Sequence, residues 1–496
     1  MTRQSQEIEL KFLCAPDDLG RILAAAPAGA DDTRELISVY FDTPDLTLQR
    51  AGASLRVRES RGQRVQTLKR GDGLAREEHE SAIASDAPDP SLGPLPELLP
   101  EGARGELKPA FHVRVTRRQR LVRYGDAEIE LALDEGEVRG GKRASAISEV
   151  ELELKSGAPK ALFGLARELS HAAPMYLSFA SKSQRGQALV AGCPVHAHKR
   201  ARVALSPQAR VAEVFQAVAR SALQSIAANA EVLRQRPDPD AVHQLRVAAR
   251  ALRSALSTFR EAVEEGGDGP GSFAHAKAEL RWLAKSCDRA RNLDVFIAET
   301  LGPAENLEPK PRGLAALRPA LEAARDKAHA DVARTVSSAR FRDLLITVTG
   351  WVDTGGWIDS EAARGPARAF ARKVLDKRRR RMLRDASALE TATDAERHAA
   401  RIDAKKLRYA AEGFEGLFRG KAARRFIEQQ KALQDELGAL NDLATAEALL
   451  AQLDLPPEAA FAAGELVGLK AAAKDRHIAA AVAAIKALKK AEVFWA

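Results

Sequence analysis

Charged residues recur at every second position in several short segments of this chain, a spacing that can assemble a reactive site. Glu7, Glu9 and Lys11 alternate with Ile8, Leu10 and Phe12, Arg56 and Arg58 alternate with Leu55 and Val57, and Lys69 follows Thr67 and Val65. Further on, Glu128, Glu130 and Asp134 alternate with Ile129, Leu131 and Leu133, and Glu149, Glu151 and Glu153 with Val150, Leu152 and Leu154. Successive side chains of a β-strand point to opposite faces, so each segment sorts its charges onto one face and its apolar groups onto the other. One such strand alone is an ordinary half-buried strand with a solvated polar side. Here each strand carries mostly one sign, and the signs differ between strands. A sheet curled with these faces inward sets a carboxylate cluster against an Arg/Lys cluster. Carboxylates hold hard divalent cations and Arg/Lys hold phosphate oxygens, so the combination suits a metal–polyphosphate complex.

A second constellation lies downstream. His243, Arg246, Arg250 and Arg253 are spaced to form one helical stripe, and His398, Arg401, Lys405 and Arg408 repeat it with every position displaced by 155 residues. Leu245, Ala249, Leu252, Leu256 and Phe259 form a neighbouring apolar stripe suited to packing in a bundle. Stripe positions stand roughly 4.5–6 Å apart along the axis, so a linear polyanion could be followed by one stripe. A single basic stripe reads as a solvated face; its duplication favours binding. No carboxylate or Cys shares either stripe, which argues against a nucleophilic or metal role for His243 or His398. The run Lys377-Arg378-Arg379-Arg380-Arg381 surrounds a helix instead of lining one face, and reads as exposed surface.

The elements that must position these groups fall into two regions. Residues 7–155 read as short strands between turn signals at Thr43-Pro44-Asp45, Gly71-Asp72-Gly73, Arg123-Tyr124-Gly125-Asp126 and Gly140-Gly141. Ser85 to Pro100 reads as a loop with a short helix, and Ala161 to Ser170 as a helix. Gly192 to Arg200 has turn residues without periodicity and reads as a linker, its His196 and His198 solvated. From about Pro207 apolar spacing becomes three or four, and the region duplicates, with Leu293 and Leu443 in matching places. The expected domains are 1–192, a linker over 193–206, and 207–496.

At 496 residues the chain exceeds one typical core. Its net charge of +9 is unevenly placed: residues 1–200 hold 29 basic and 29 acidic groups, so the whole excess lies beyond them. The second half is therefore the candidate for a polyanion partner. Aromatics are 5% of the chain, few for gripping single-stranded nucleic acid by stacking. Cys14, Cys193 and Cys287 are far apart and lack CxxC spacing, which indicates neither a disulfide framework nor a thiolate zinc site. No run is apolar enough to span a bilayer, and Met1-Thr2-Arg3-Gln4-Ser5 does not resemble a signal peptide, so the cytoplasm is the expected compartment.

Glu7-x-Glu9-x-Lys11 resembles the ExExK signature of the CYTH superfamily, the triphosphate tunnel metalloenzymes. Leu55–Arg58, Thr67–Lys69, Ala132–Gly136, Glu149–Leu154 and Ser181-Lys182-Ser183-Gln184-Arg185-Gly186 fit the same family in the same order, across roughly residues 1–190. Residues from about 207 to 496 resemble the CHAD family, the conserved histidine α-helical domain, through the duplicated His/Arg stripe. The loop pattern departs in the first copy, where Asp288 and Asn292 stand in place of Gly and Asp; Gly438 and Asp442 keep that pattern in the second.

The resemblance implies an α+β multidomain chain: an eight-stranded antiparallel β-barrel open as a tunnel, then an all-α domain of two duplicated bundles. It implies a catalytic set of Glu7, Glu9 and Lys11, and Mg²⁺ or Mn²⁺ held by Glu7, Glu9, Asp134, Glu151 and Glu153. Glu149 shares the face of Glu151, and the choice of register stays open. Arg56, Arg58, Lys69, Arg117 and Lys182 are implied to bind phosphate, and the eight stripe residues to bind inorganic polyphosphate. The expected activity is hydrolysis of tripolyphosphate to pyrophosphate and phosphate. The alternatives are a class IV adenylate cyclase and a non-catalytic protein of polyphosphate granules.

Overall fold

The computed structural model describes residues 3–71, 75–192, 196–267, 269–385, 389–418 and 421–496. The chain forms two compact units, Met1–His196 with Ser338–Gly350, and Ala197–Ser337 with Trp351–Ala496.

The first unit is built on β1 (Arg3–Leu13), β2 (Asp31–Asp42), β3 (Ala53–Ser60), β4 (Gln63–Arg70), β5 (Ala75–Ile83), β6 (Lys108–Tyr124), β7 (Ala127–Gly140) and β8 (Arg143–Ser156). The order β5-β4-β3-β2-β6-β7-β8-β1 closes on itself because β1 pairs β5 along Arg3–Ile8 and β8 along Glu9–Leu13. All pairings are antiparallel, and a short β9 (Tyr176–Ser178) lies beside Lys11–Leu13. The result is the expected eight-stranded barrel, and closure leaves these eight strands without a free edge.

The period-two pattern decides which face looks inward. Leu10 and Phe12 are fully buried, and helices α1 (Leu19–Ala25) and α2 (Lys160–Ala172) pack on β8. Phe41, Leu55, Val57 and Leu68 form a separate cluster with Leu48, Leu95 and Leu99. The alternate residues therefore line the interior. One part of that lining is apolar, where Leu36, Tyr40, Phe111, Val113, Val115, Val138 and Ile147 pack with Leu189 of helix α3 (Lys182–Val190). Gly186 lets α3 lie this close, since a Cβ there would stand 2.2 Å from the Phe111 ring.

The second unit is helical. Its longer elements include α4 (Val211–Gln235), α5 (Pro239–Thr258), α6 (Phe273–Ser286), α7 (Asp288–Phe296), α8 (Leu314–Ser337), α9 (Ala367–Asp385), α10 (Asp394–Phe414), α11 (Ala422–Leu450), α12 (Pro457–Ala471) and α13 (Lys474–Lys490). Phe259 and Phe414, related by the repeat, meet at 5.2 Å between ring centroids. Equivalent residues in mutual contact are the mark of a two-fold, isologous arrangement, here within one chain.

The segment expected as a solvated linker is partly pinned. Asn229 of α4 accepts from the His198 backbone N–H at 3.0 Å and donates to its carbonyl at 2.9 Å, and Ser221 Oγ donates to the Ala201 carbonyl at 2.8 Å. Cys193 lies outside the described residues. No helix among the described residues is long and apolar enough to cross a membrane.

Candidate active site and cationic cluster

Cross-strand register assembles the charged part of the tunnel. Arg117 of β6 stands opposite Asp134 of β7, which stands opposite Glu149 of β8; one pair along, Glu151 stands opposite Lys11 of β1. Lys182 arrives from outside the sheet. Ser181 caps α3, its Oγ accepting from the Gln184 N–H at 3.1 Å and its N–H donating to Gln184 Oε1 at 2.9 Å, so Lys182 enters the barrel as the first residue of that helix.

Three buried carboxylates converge: Asp134, Glu149 and Glu151 each offer an oxygen within 4.8 Å of the others. Lys182 Nζ lies 2.7 Å from Asp134 and 2.8 Å from Glu151, and also binds Glu149. Lys11 Nζ is 2.8 Å from Glu151, 3.6 Å from Glu149 and 3.5 Å from Glu9. Arg117 grips Asp134 through two bonds of 2.7 Å and also reaches Glu151. Burial alone would raise the Asp134 carboxyl, but Lys182 and Arg117 outweigh it and hold it down to about 2. Glu151 is likewise held well below the carboxylate range against its burial by Lys11, Lys182 and Arg117. Burial would lower the Lys182 ammonium, but Asp134, Glu149 and Glu151 outweigh it and raise it. Glu149 Oε2, by contrast, is buried with no hydrogen-bond partner among the described residues.

The remaining expected residues lie on the same inner face but outside this triad. Glu7 is bonded to Lys69 at 2.5 Å, and Lys69 also lies 3.2 Å from Glu78. Glu153 stands opposite Glu9 and Glu130 and turns to Lys155 at 2.7 Å. Its carboxyl is raised, chiefly by burial. Arg56 lies 3.9 Å from Glu78 and hydrogen-bonds Tyr40. Arg58 donates to Ser38 Oγ at 3.3 Å, and among the described residues no carboxylate pairs with it. Burial, then Arg56 and Arg117, lowers its guanidinium to about 10. Glu128 keeps the face of Glu130 and Asp134 in the β6–β7 register but lies away from the cluster. It stands at one end of β7 opposite exposed Arg123 of β6, 3.7 Å away, where the pairing of β7 with β8 shifts register. Sequence reasoning missed Glu78, Tyr40 and Lys155. Glu78 and Lys155 carried a usable signal, since each continues a period-two face already charged.

In the helical unit the two stripes meet. Asp238 caps α5, accepting from the Ala241 N–H at 2.9 Å, and Thr393 with Glu396 forms a capping box on α10. The two helices pack together, so Arg246 and Arg250 fall within electrostatic reach of Arg401 and Lys405. Lys405 has its ammonium lowered to about 7, first by burial and then by Arg401, Arg250, Arg246 and Arg408. His243 is lowered by burial, Arg291 and Arg246. His398 is exposed and donates from Nδ1 to Asn441 Oδ1 at 2.9 Å. Arg253 lies near Arg281 and Asp288, and Arg408 over the Tyr409 ring, 5.0 Å from its centroid.

The altered loop of the first copy keeps its carboxylate in another place. Asp288 accepts from Arg246 Nε at 2.6 Å, while in the second copy Asp442 faces the equivalent Arg401. The run Lys377–Arg381 is not simply exposed surface. Arg378 donates to the Lys406 carbonyl and to Thr258 Oγ1, both at 3.0 Å, Arg379 donates to the Lys489 carbonyl at 3.0 Å, and Arg381 pairs with Asp403 at 2.8 Å.

These geometries agree with two family models: the CYTH domain matches residues 5–186 and the CHAD domain residues 217–451. The chain is a CYTH–CHAD protein. An inorganic triphosphatase from Haemophilus influenzae is 31% identical over 193 residues, 37% of this chain and 55% of that protein. The match thus spans about half the length of that relative. The crystal structure of the CHAD domain from the plant Ricinus communis is 29% identical with a TM-score of 0.52, covering 60% of this chain and 98% of that one. The CYTH domain thus carries a buried acidic cluster that can hold a metal, and the CHAD domain a cluster of cations.

Proposed function

We propose that the CYTH barrel is a metal-dependent inorganic triphosphatase that hydrolyses tripolyphosphate to pyrophosphate and phosphate. The observation that carries this reading is the buried Asp134–Glu149–Glu151 triad interleaved with Lys11, Arg117 and Lys182. The donor set fits a hard divalent ion, because the ligands are carboxylate oxygens and Glu149 Oε2 has no partner among the described residues. Asp134, Glu149 and Glu151 would hold Mg²⁺ or Mn²⁺, with Glu7, Glu9 and Glu153 further along the same face. The ion supplies a water of lowered pKa and neutralises phosphate charge. Arg58, with which no carboxylate pairs among the described residues, is placed to take a phosphate oxygen. Arg56, Lys69, Lys11, Arg117 and Lys182 join it and offset charge on the leaving pyrophosphate. The test is product analysis with tripolyphosphate and with ATP under Mg²⁺. A triphosphatase releases orthophosphate; cyclic AMP with pyrophosphate as the main products would mark a cyclase instead.

The CHAD domain binds inorganic polyphosphate in this reading, through Arg246, Arg250, Arg253, Arg401, Lys405 and Arg408 with His243 and His398. Its support is the convergence of Arg246, Arg250, Arg401 and Lys405, whose mutual repulsion a polyanion would relieve. Titration of the full chain with long-chain polyphosphate and with single-stranded DNA tests it. Preference for polyphosphate is expected, and equal affinity for both would reduce the cluster to a general polyanion surface.

A further inference from the structure

The charge count in the tunnel implies more than a metal site. Asp134, Glu149 and Glu151 bring three negative charges, and Lys11, Arg117 and Lys182 bring three positive ones. Lys11 is shared with Glu9 at 3.5 Å, so the triad is largely neutralised from within the chain. A divalent ion approaching it must break buried, hydrogen-bonded ion pairs, which are costly to separate. Of the three cations, Lys182 is the one bonded to all three carboxylates. It also has the means to leave. A lysine is a point charge on a flexible four-carbon stem, whereas Arg117 is fixed by its two-bond fork on Asp134. Lys182 stands at the first turn of α3, and Arg58, which has no carboxylate partner among the described residues, marks where an incoming phosphate finds unspent positive charge.

We propose that Lys182 is an exchange cation: its ammonium neutralises the Asp134–Glu149–Glu151 triad until a triphosphate draws it away, so that triphosphate and divalent metal bind cooperatively. This rests on the reading of the barrel as a metal-dependent triphosphatase and adds the order within it. Polyphosphate oxygens compete for Lys182, the carboxylates are released, and the metal takes them. Each ligand prepares the site for the other, and the coupling is reciprocal. Lys182 is a positioning residue for the metal as well as a phosphate contact.

The test is Mn²⁺ binding to the full chain, read from the electron paramagnetic resonance of free Mn²⁺, with and without a bis-methylene triphosphonate that cannot be hydrolysed. For the wild-type chain the analogue should raise protein affinity for Mn²⁺ about tenfold or more beyond its own chelation, within the usual range of coupling. Lys182→Met should bind Mn²⁺ at least about tenfold more tightly without the analogue, and lose most of the enhancement. Lys182→Arg, which keeps the charge but can fork onto the carboxylates, should bind Mn²⁺ no more tightly than wild type without the analogue and show a smaller enhancement with it. Arg139→Met, which removes an exposed charge of the barrel paired with Glu137 at 2.8 Å and outside the tunnel site, should change Mn²⁺ affinity little. Circular dichroism establishes that each variant folds, and the wild-type comparison decides the matter even if Lys182→Met does not. Equal Mn²⁺ affinity with and without the analogue overturns the exchange. So does a folded Lys182→Met that binds Mn²⁺ no more tightly than wild type. If no form of the chain binds Mn²⁺, even with the analogue, the metal-dependent reading itself fails.

Discussion

On the proposed reading of the CHAD cluster as a polyanion site, Lys405 makes binding proton-linked. The first stripe carries Arg250 at the equivalent place, so the pair of stripes holds one ammonium among guanidiniums and two imidazoles. Its neighbours Arg401, Arg250, Arg246 and Arg408 are all cations; Asp288 and Asp442 are engaged with Arg246 and Arg401, and Tyr409 lies beside Arg250 and Arg401. With its pKa lowered from 10.5 to about 7, Lys405 is mostly neutral in the free protein above neutral pH. A bound polyanion reverses the repulsion and restores the charged form. The sign follows: binding takes up a proton, and affinity falls as pH rises above about 7. At pH 8.5 the free lysine is only ~3% protonated and the complex nearly fully so, an uptake approaching ~1 proton, with affinity weakening up to about tenfold per pH unit. Calorimetric titration with long-chain polyphosphate in HEPES and in Tris, which differ in ionisation enthalpy, measures the uptake directly. Lys405→Arg should bind at least as well and take up almost no proton at pH 8.5. At that pH His243, lowered in the free protein, contributes little. Zero uptake by the wild type, or equal uptake by Lys405→Arg, would refute the reasoning.

Replacing Arg246, Arg250, Arg401 and Lys405 together by Gln should weaken polyphosphate binding strongly and flatten its salt dependence, since each lost phosphate contact removes roughly one released counterion; an unchanged salt slope would count against the cluster. Arg378→Gln should leave polyphosphate affinity unchanged but lower unfolding free energy by about 1–3 kcal/mol, because it ties the Lys406 carbonyl to Thr258, and denaturant melts read this. Gly186→Ala should destabilise the barrel by about 1–3 kcal/mol, offset in part by better helix propensity, because its Cβ would meet Phe111 at 2.2 Å; a raised melting temperature would refute the close approach.

The barrel was legible because a side-chain period of two survives in sequence: the same alternation that marks a strand also chooses its inner face. The identity of the charges on that face could likewise be read, from Glu7 through Glu153. Their pairing could not, since it depends on which strands become neighbours. Glu7 finds Lys69 and not the triad, and Glu153 finds Lys155, one pair beyond Glu151. The open register of Glu149 and Glu151 has a simple outcome: both belong to the cluster, because Asp134 faces one and Lys11 the other. Glu128 keeps the face that the alternation gives it, and its partner is Arg123 at the exposed end of β6. In the helical unit the stripes were visible at helical spacing, but their convergence was not, because it follows from how the two copies pack. The five-cation run failed for a related reason: a helix encircled by Arg buries some of them against whatever packs beside it, here the Lys406 carbonyl within α10 and the Lys489 carbonyl at the end of α13.

The central claim is metal-dependent hydrolysis by the Asp134–Glu149–Glu151 cluster, and one measurement reaches it directly. Orthophosphate and pyrophosphate released from tripolyphosphate are followed with the full chain and with Glu151→Gln, each with Mg²⁺, with Mn²⁺ and with chelator. The account predicts release by the wild type only when a divalent ion is present, and background release by a folded Glu151→Gln under every condition. Release that persists in chelator, or Glu151→Gln working at the wild-type rate with metal, would contradict it.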